Sequence, residues 1–258
     1  MKTTFDHAWR RRIGIVGMLI GTLSVGCQSG PKLVWRKGNE TPPVLPAGNK
    51  DKPEIPLKIV EGKKEKPTPK MLVDFGYVQA SMNNHGEAMS LFERALKLDK
   101  KNEAAYVGLA KVKMQMGHPD QAIELLGDAL KKCPKSGAIY NEIGIARAQL
   151  KQNDEAVQAL EKAVELDPES DLYRQNLAGI LVVRGETEKA YKYYSRMMSA
   201  ADAHVRIGEI LGGQGRLSEG KEHLRAAIEA EPNHSRAIAL MAQMNKPELQ
   251  QVDYQSSR

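Results

Sequence analysis

Two cysteines and six histidines hold the most reactive side chains of this 258-residue chain. A thiolate is a nucleophile and a soft metal ligand; an imidazole is a base or a ligand near neutral pH. Cys27 closes an apolar run, and Cys133 directly precedes Pro134. The histidines are His7, His85, His118, His204, His223 and His234, and no metal-like helical pair is read among them. His85 and His118 fall where turns between helices are expected. No phosphate-binding glycine loop stands out either; "GGQG" at 212–215 reads as a helix end. Nothing in the pattern brings Ser, His and Asp, or Cys and His, to a common pocket. The sequence therefore predicts no enzyme, no cofactor and no metal, and leaves two thiols to be explained.

The first thiol has a context. Arg10, Arg11 and Arg12 precede "IGIVGMLIGTLSVG", residues 13–26, which is an apolar stretch too short to cross a bilayer comfortably. Charge, then a short apolar core, then small residues is the order of an export signal. The run "LSVGC" resembles the lipobox of bacterial lipoproteins, with Gly26 at the small-residue position and Ser24 where leucine is usual. That resemblance implies cleavage after residue 26, a diacylglycerol on the Cys27 sulfur and an acyl chain on its amine. One acyl chain alone anchors only marginally, so several on one residue suffice where one does not. Gln28, in place of aspartate, implies delivery to the outer membrane, facing the periplasm. The second thiol, Cys133, has no partner within the mature chain and is expected to pack as a small apolar residue.

The formal charge of +6 invites a nucleic-acid reading. It is concentrated at one end. Residues 28–70 hold ten basic and five acidic groups, whereas residues 71–258 hold 24 basic and 26 acidic ones. No basic face for a phosphate backbone is visible in that larger part. Eight of the thirteen prolines lie between Gln28 and Pro69, with no helical period. Residues 27–69 therefore read as a lipidated cysteine and an unfolded Pro/Lys-rich linker, spanning roughly 130 Å if fully extended or about 35 Å as a coil.

Beyond the linker the chain repeats. Ala88, Ala122, Ala156 and Ala190 stand 34 residues apart. Phe92, Leu126, Leu160 and Tyr194 follow by four, and Ala95, Ala129, Ala163 and Met197 by seven. Phe75–Gly76, Leu109–Ala110, Ile143–Gly144 and Leu177–Ala178 come earlier in each unit; a further unit carries Ile207–Gly208, Gly220, Leu224 and Ala227. Pro134, Pro168 and Pro232 close three units. This pattern resembles the tetratricopeptide-repeat (TPR) family. The resemblance implies an all-α, right-handed superhelical solenoid of about five helix-turn-helix units, each with a helix A and a helix B. The units are 69–102, 103–136, 137–170, a shorter 171–200, and 201–234, in a repeat domain spanning 70–246. Asp120 and Asp154 are expected to cap B helices. A final helix over 235–245 caps the array, and 247–258 form a loose tail. Gln79, Lys113, Arg147, Leu181 and Leu211 stand where the family usually has an aromatic.

The resemblance also implies a site. In the family the A helices line a concave groove that accepts a peptide or helix. The matching positions here include Lys70, Tyr77, Lys111, Met114, Gln115, Asn141, Gln149 and Gln175. Val73 and Tyr77 replace the lysine and asparagine of the family's carboxylate clamp, so that mode is not expected. The resulting expectation is a membrane-anchored scaffold lipoprotein that holds protein partners in the cell envelope. Its task would be assembly of a pilus, secretion or outer-membrane complex. The alternatives are docking of cell-wall hydrolases or synthases near peptidoglycan, or an unrecognised enzyme. No nucleic acid and no small-molecule substrate is implied.

Overall fold

A computed structural model describes residues 66–245 and, ahead of them, two short strands, β1 (Ile59–Val60) and β2 (Lys63–Lys64). The strands pair antiparallel, Ile59 opposite Lys64, within the segment read as linker. The export-signal segment, Cys27, most of the linker and residues 247–258 lie outside the described residues.

The rest is helical. Five pairs follow one another: α1 (Pro69–Ser81) with α2 (His85–Leu98), α3 (Glu103–Gln115) with α4 (Pro119–Leu130), α5 (Gly137–Gln149) with α6 (Asn153–Leu166), α7 (Asp171–Arg184) with α8 (Thr187–Tyr194), and α9 (Ala200–Gly213) with α10 (Leu217–Ala230). A single helix, α11 (Ser235–Met244), covers the last pair. The missing turn of the short fourth unit falls in α8, which has 8 residues against 14 in α6 and α10.

Local chemistry sets both kinds of junction. Each odd-numbered helix begins under a side-chain cap that satisfies an otherwise orphaned N–H. Thr68 Oγ1 accepts from Met71 N, Asn102 Oδ1 from Ala105 N at 3.0 Å, Ser136 Oγ from Ile139 N at 3.2 Å, and Ser170 Oγ from Tyr173 N. Ser199 and His234 Nδ1 do the same for α9 and α11. The first four caps are 34 residues apart. The even-numbered helices start without a side-chain cap. Asp120 and Asp154, expected as caps, sit inside the first turns of α4 and α6 instead. Each of those helices starts earlier than expected, straight out of a tight turn, so the aspartates act on the helix dipole.

That tight turn is the same five times. Asn83, Gly117, Lys151, Gly185 and Gly215 adopt positive φ, between 60° and 89°. The next residue's N–H reaches back five positions, as in Asn84 N to Gln79 O at 2.9 Å and Gln152 N to Arg147 O at 3.0 Å. This is the Schellman closure of a helix. It assigns a task to the three polar residues that replace the expected aromatic. Gln79 Oε1 accepts from Asn84 Nδ2 (2.7 Å), Arg147 Nη1 donates to Gln152 Oε1 (2.6 Å), and Lys113 Nζ donates to Gln121 Oε1 (3.0 Å). Polar bonds thus pin the first three turns, while Leu181 and Leu211 are buried.

The recurring small and large residues form the core. Ala88, Ala122, Ala156 and Ala190 are fully buried, as are Phe92, Leu126, Leu160 and Tyr194. Phe92 lies between two glycines. A Cβ on Gly76 would stand 2.6 Å from its Cε1, and one on Gly108 still nearer. Gly144 likewise makes room for Leu160, whose Cγ would be 2.5 Å away. No unit closes its core alone: Phe92 of the first meets Gly108 of the second, so burial is shared between neighbours.

Candidate functional site

Successive odd-numbered helices touch one another: α1 meets α3, α3 meets α5, α5 meets α7, α7 meets α9, and α9 meets α11. They form one continuous row along the array, and the side chains left uncovered on that row are what a groove would offer.

A polar ladder crosses that row. Lys111 Nζ on α3 lies 3.4 Å from Glu142 Oε1 on α5. Asn141 Nδ2 donates to the same oxygen at 3.2 Å, and Asn141 Oδ1 accepts from Asn176 Nδ2 on α7 at 2.8 Å. Glu142 and Asn141 are 3% and 1% exposed, whereas the Lys111 side chain is 38% exposed. Burial holds the Glu142 carboxyl above the usual carboxylate range, and Lys111 and the Asn141 amide only partly offset it. Its other oxygen, Oε2, is buried without a hydrogen-bond partner.

Tyr77 flanks the ladder. Its ring meets Phe92 edge-on, with centroids 5.1 Å apart, and its hydroxyl donates to the Ala104 carbonyl at 3.1 Å. Burial, followed by the negative charge of Glu142, pushes its phenol well above the ordinary range. The same two causes, with Asp167 and Glu103 added, raise Tyr173. Two aromatic hydroxyls thus share the field of one buried carboxylate. Further along, Glu209 on α9 binds Arg206 (3.2 Å) and Arg236 of α11 (2.7 and 2.9 Å).

The eight expected groove residues divide. Lys111, Gln115 and Gln149 present polar groups to solvent, and Gln175 is half-buried on α7. Lys70 is exposed at the first turn of α1, held 2.6 Å from Asp74. Tyr77 keeps an open ring face and a tied hydroxyl. Met114 is not a groove contact: it is 8% exposed and packs among Tyr106, Ala110 and Leu126. Asn141 is also buried and acts through Glu142 and Asn176 rather than on a ligand. Sequence reasoning missed both of those partners. Their register, shared with Gly108 at 34-residue spacing, is visible in the sequence; their burial and pairing are not.

The reactive side chains also find places. Cys133 is buried, and its thiol donates to the Lys101 carbonyl at 3.4 Å. Burial raises its pKa, which makes it a poor nucleophile. His204 of α9 and His223 of α10, 19 residues apart, meet Nδ1 to Nδ1 at 3.0 Å. Their ring centroids are 5.3 Å apart, nearly that distance plus two ring radii, so the nitrogens face head-on, as in a hydrogen bond. Tyr191 stacks on His204 at 4.7 Å. Among the described residues no three His, Cys, Asp or Glu gather as metal ligands, and no helix is long and apolar enough to cross a membrane.

A repeated helix pair with a polar ladder across one row defines a class of protein. Residues 53–253 match the family model described as the cilia and flagella-associated protein 70 C-terminal domain, a TPR model. That is more than half of the chain, which belongs to this family. Among solved structures, a thermophilic TPR protein of Thermus thermophilus is 20% identical, with a TM-score of 0.51 over 69% of this chain and 98% of that one. Pseudomonas aeruginosa pilF is 18% identical, with a TM-score of 0.52 over 72% of this chain and 87% of that one. Both are similar in fold. No curated protein matches the sequence. The chain is a TPR protein, a class whose members mediate protein–protein interactions.

Proposed function

We propose that this chain is a membrane-tethered TPR scaffold, lipidated at Cys27. Its concave wall holds a segment of a partner protein in the cell envelope, in assembly of a pilus, secretion or outer-membrane complex. The observation that carries the groove reading is the ladder Lys111–Glu142–Asn141–Asn176 across three inner helices. Burying a carboxylate costs stability unless it is matched, and Glu142 is only half matched. An inner wall selected for stability alone would carry an apolar residue there. Lys111, Gln115, Gln149 and Gln175 offer donors to a partner backbone or carboxylate, and the Tyr77 ring offers an adaptable apolar face. The tether reading rests on "LSVGC" and the arginine-led apolar run before it.

Two experiments test the two halves. A photo-crosslinker at Lys111 and at Gln175 captures the same envelope protein from both positions; a folded, exported chain giving no adduct from either site refutes the groove. Fatty-acid labelling in cells marks the parent chain and not Cys27→Ser. Undiminished label in the variant refutes the anchor.

A further inference from the structure

The helix pairs give the array two long edges, one at the A-to-B turns and one at the B-to-A junctions. The helices between them run about 20 Å, from 13 residues at about 1.5 Å each. The linker enters α1 at Thr68, and so leaves from the junction edge.

The two edges of the first units differ in charge. The first two junctions carry Lys97, Lys100, Lys101, Lys131, Lys132 and Lys135, all exposed. Three acids accompany them, each engaged in the fold. Asp99 accepts from the Lys101 N–H, Glu103 from Ser136 Oγ, and Asp128 from Lys131 Nζ. Lys66 stands exposed where the linker arrives. The turn edge of the same units, at 82–87, 116–121 and 150–155, has Lys151, with Lys113 and Arg147 reaching it from the helices, against Glu87, Asp120, Asp154 and Glu155. Beyond the second junction the lysine excess ends: residues 163–171 hold Glu165, Asp167, Glu169 and Asp171 and no lysine.

We propose that the lysine-bearing junction edge of the first two units docks on the anionic headgroups of the membrane that holds the anchor. This rests on the tether reading above for the choice of surface. The positive charge and the linker's exit share one edge, and the apolar run of residues 13–26 precedes that exit in the sequence. Each lysine near an anionic surface adds about a fivefold gain in partitioning, the equivalent of about 1 kcal/mol. The solenoid then stands on edge, and its groove opens parallel to the membrane.

The test uses the full chain on vesicles of phosphatidylcholine alone or with phosphatidylglycerol, carrying an acceptor dye in the headgroup layer. A donor dye is placed through Ala104→Cys at the junction edge or Gly86→Cys at the turn edge. Sedimentation reports association, and energy transfer reports which edge is nearer. The expected result is stronger transfer from position 104 than from 86 on anionic vesicles only. High salt removes the difference, and so does the triple variant Lys97→Gln, Lys100→Gln, Lys135→Gln. The control triple Lys151→Gln, Lys189→Gln, Lys192→Gln leaves it unchanged. Association with equal transfer from both edges, or a difference blind to lipid charge, overturns the docking edge and leaves the anchor standing. So does binding of soluble polyglutamate at a lower charge concentration than anionic lipid, which would point to an acidic protein instead. Absence of any association with anionic vesicles overturns it as well. Failure of the anchor is read separately, in the labelling of Cys27→Ser.

Discussion

Gly108→Ala is the sharpest test of how neighbouring units share their core. Two effects oppose each other. Alanine is about 1 kcal/mol better than glycine in a helix interior, so an unobstructed site would gain. At Gly108 the added methyl would lie 2.8 Å from Phe92 Cδ1 and closer still to Cε1 and Cζ. The ring has little room to yield, because Gly76 lies close to the same ring edge: a Cβ there would stand 2.6 Å from Cε1. Phe92 is fully buried, and its rigid ring has no other place to go. Overpacking of this kind costs about 1–3 kcal/mol, and a fully buried ring approached closely by two helices belongs at the upper end. The net expectation is a loss of about 2 kcal/mol, or about 4–8 °C in Tm. Gly127→Ala is the control, since no atom lies within 4 Å of a Cβ there; it should gain up to about 1 kcal/mol. Urea unfolding followed by circular dichroism at constant slope measures both. Phe92→Leu combined with Gly108→Ala should cost less than the two losses added together, because leucine vacates the contested space. If Gly108→Ala is as stable as the parent, or the double variant is simply additive, the interlocking of Phe92 between units is refuted.

Other outcomes follow from the caps and the buried charges. Lys151 holds φ of 61° where three of the five turns use glycine, so Lys151→Gly should stabilise by about 1 kcal/mol in thermal unfolding; a loss would contradict the strain. Glu142 has a raised carboxyl pKa in the fold, so its charge destabilises the native state once pH exceeds the unfolded value near 4.5. Glu142→Gln should therefore be more stable than the parent at pH 8, with the advantage shrinking as pH falls toward 4.5; an advantage independent of pH would refute the linkage. Burial depresses the pKa of His204, and burial with the charge of His204 depresses that of His223. Their contribution is complete above the unfolded value near 6.5 and is lost as pH falls through the depressed values. Hydrogen exchange should thus show α8 to α10 opening below pH 6.5 in the parent and much less in His204→Phe with His223→Leu.

What the sequence made legible was periodicity. Alanines at 34-residue spacing predicted the helix crossings, and every one of them is buried in the core. The turn chemistry was only half visible. Asp120 and Asp154 carry the side chains of good caps, but the Schellman turn delivers the chain to the next helix before they are reached. A capping rule read locally cannot see a backbone bond that spans five residues. The groove was legible as a set of positions and not as a set of contacts. Met114 fits the lining register, yet the neighbouring helix closes over it. Glu142 escaped notice because nothing in a linear reading distinguishes a buried carboxylate from an exposed one. Its burial follows from Lys111, 31 positions earlier, and from the packing of α3 on α5.

The caps at 68, 102, 136 and 170 make the first three units look interchangeable, as though residues 103–136 could be cut out and the chain rejoined in register. The backbone would accept the excision. The side chains would not, because the place held by Gly108 would pass to Glu142, its counterpart 34 positions on. Phe92 would then press on a carboxylate where it now meets a bare Cα. Units alike in their caps are thus addressed to particular neighbours, and the order of the first two is written in the contacts around Phe92.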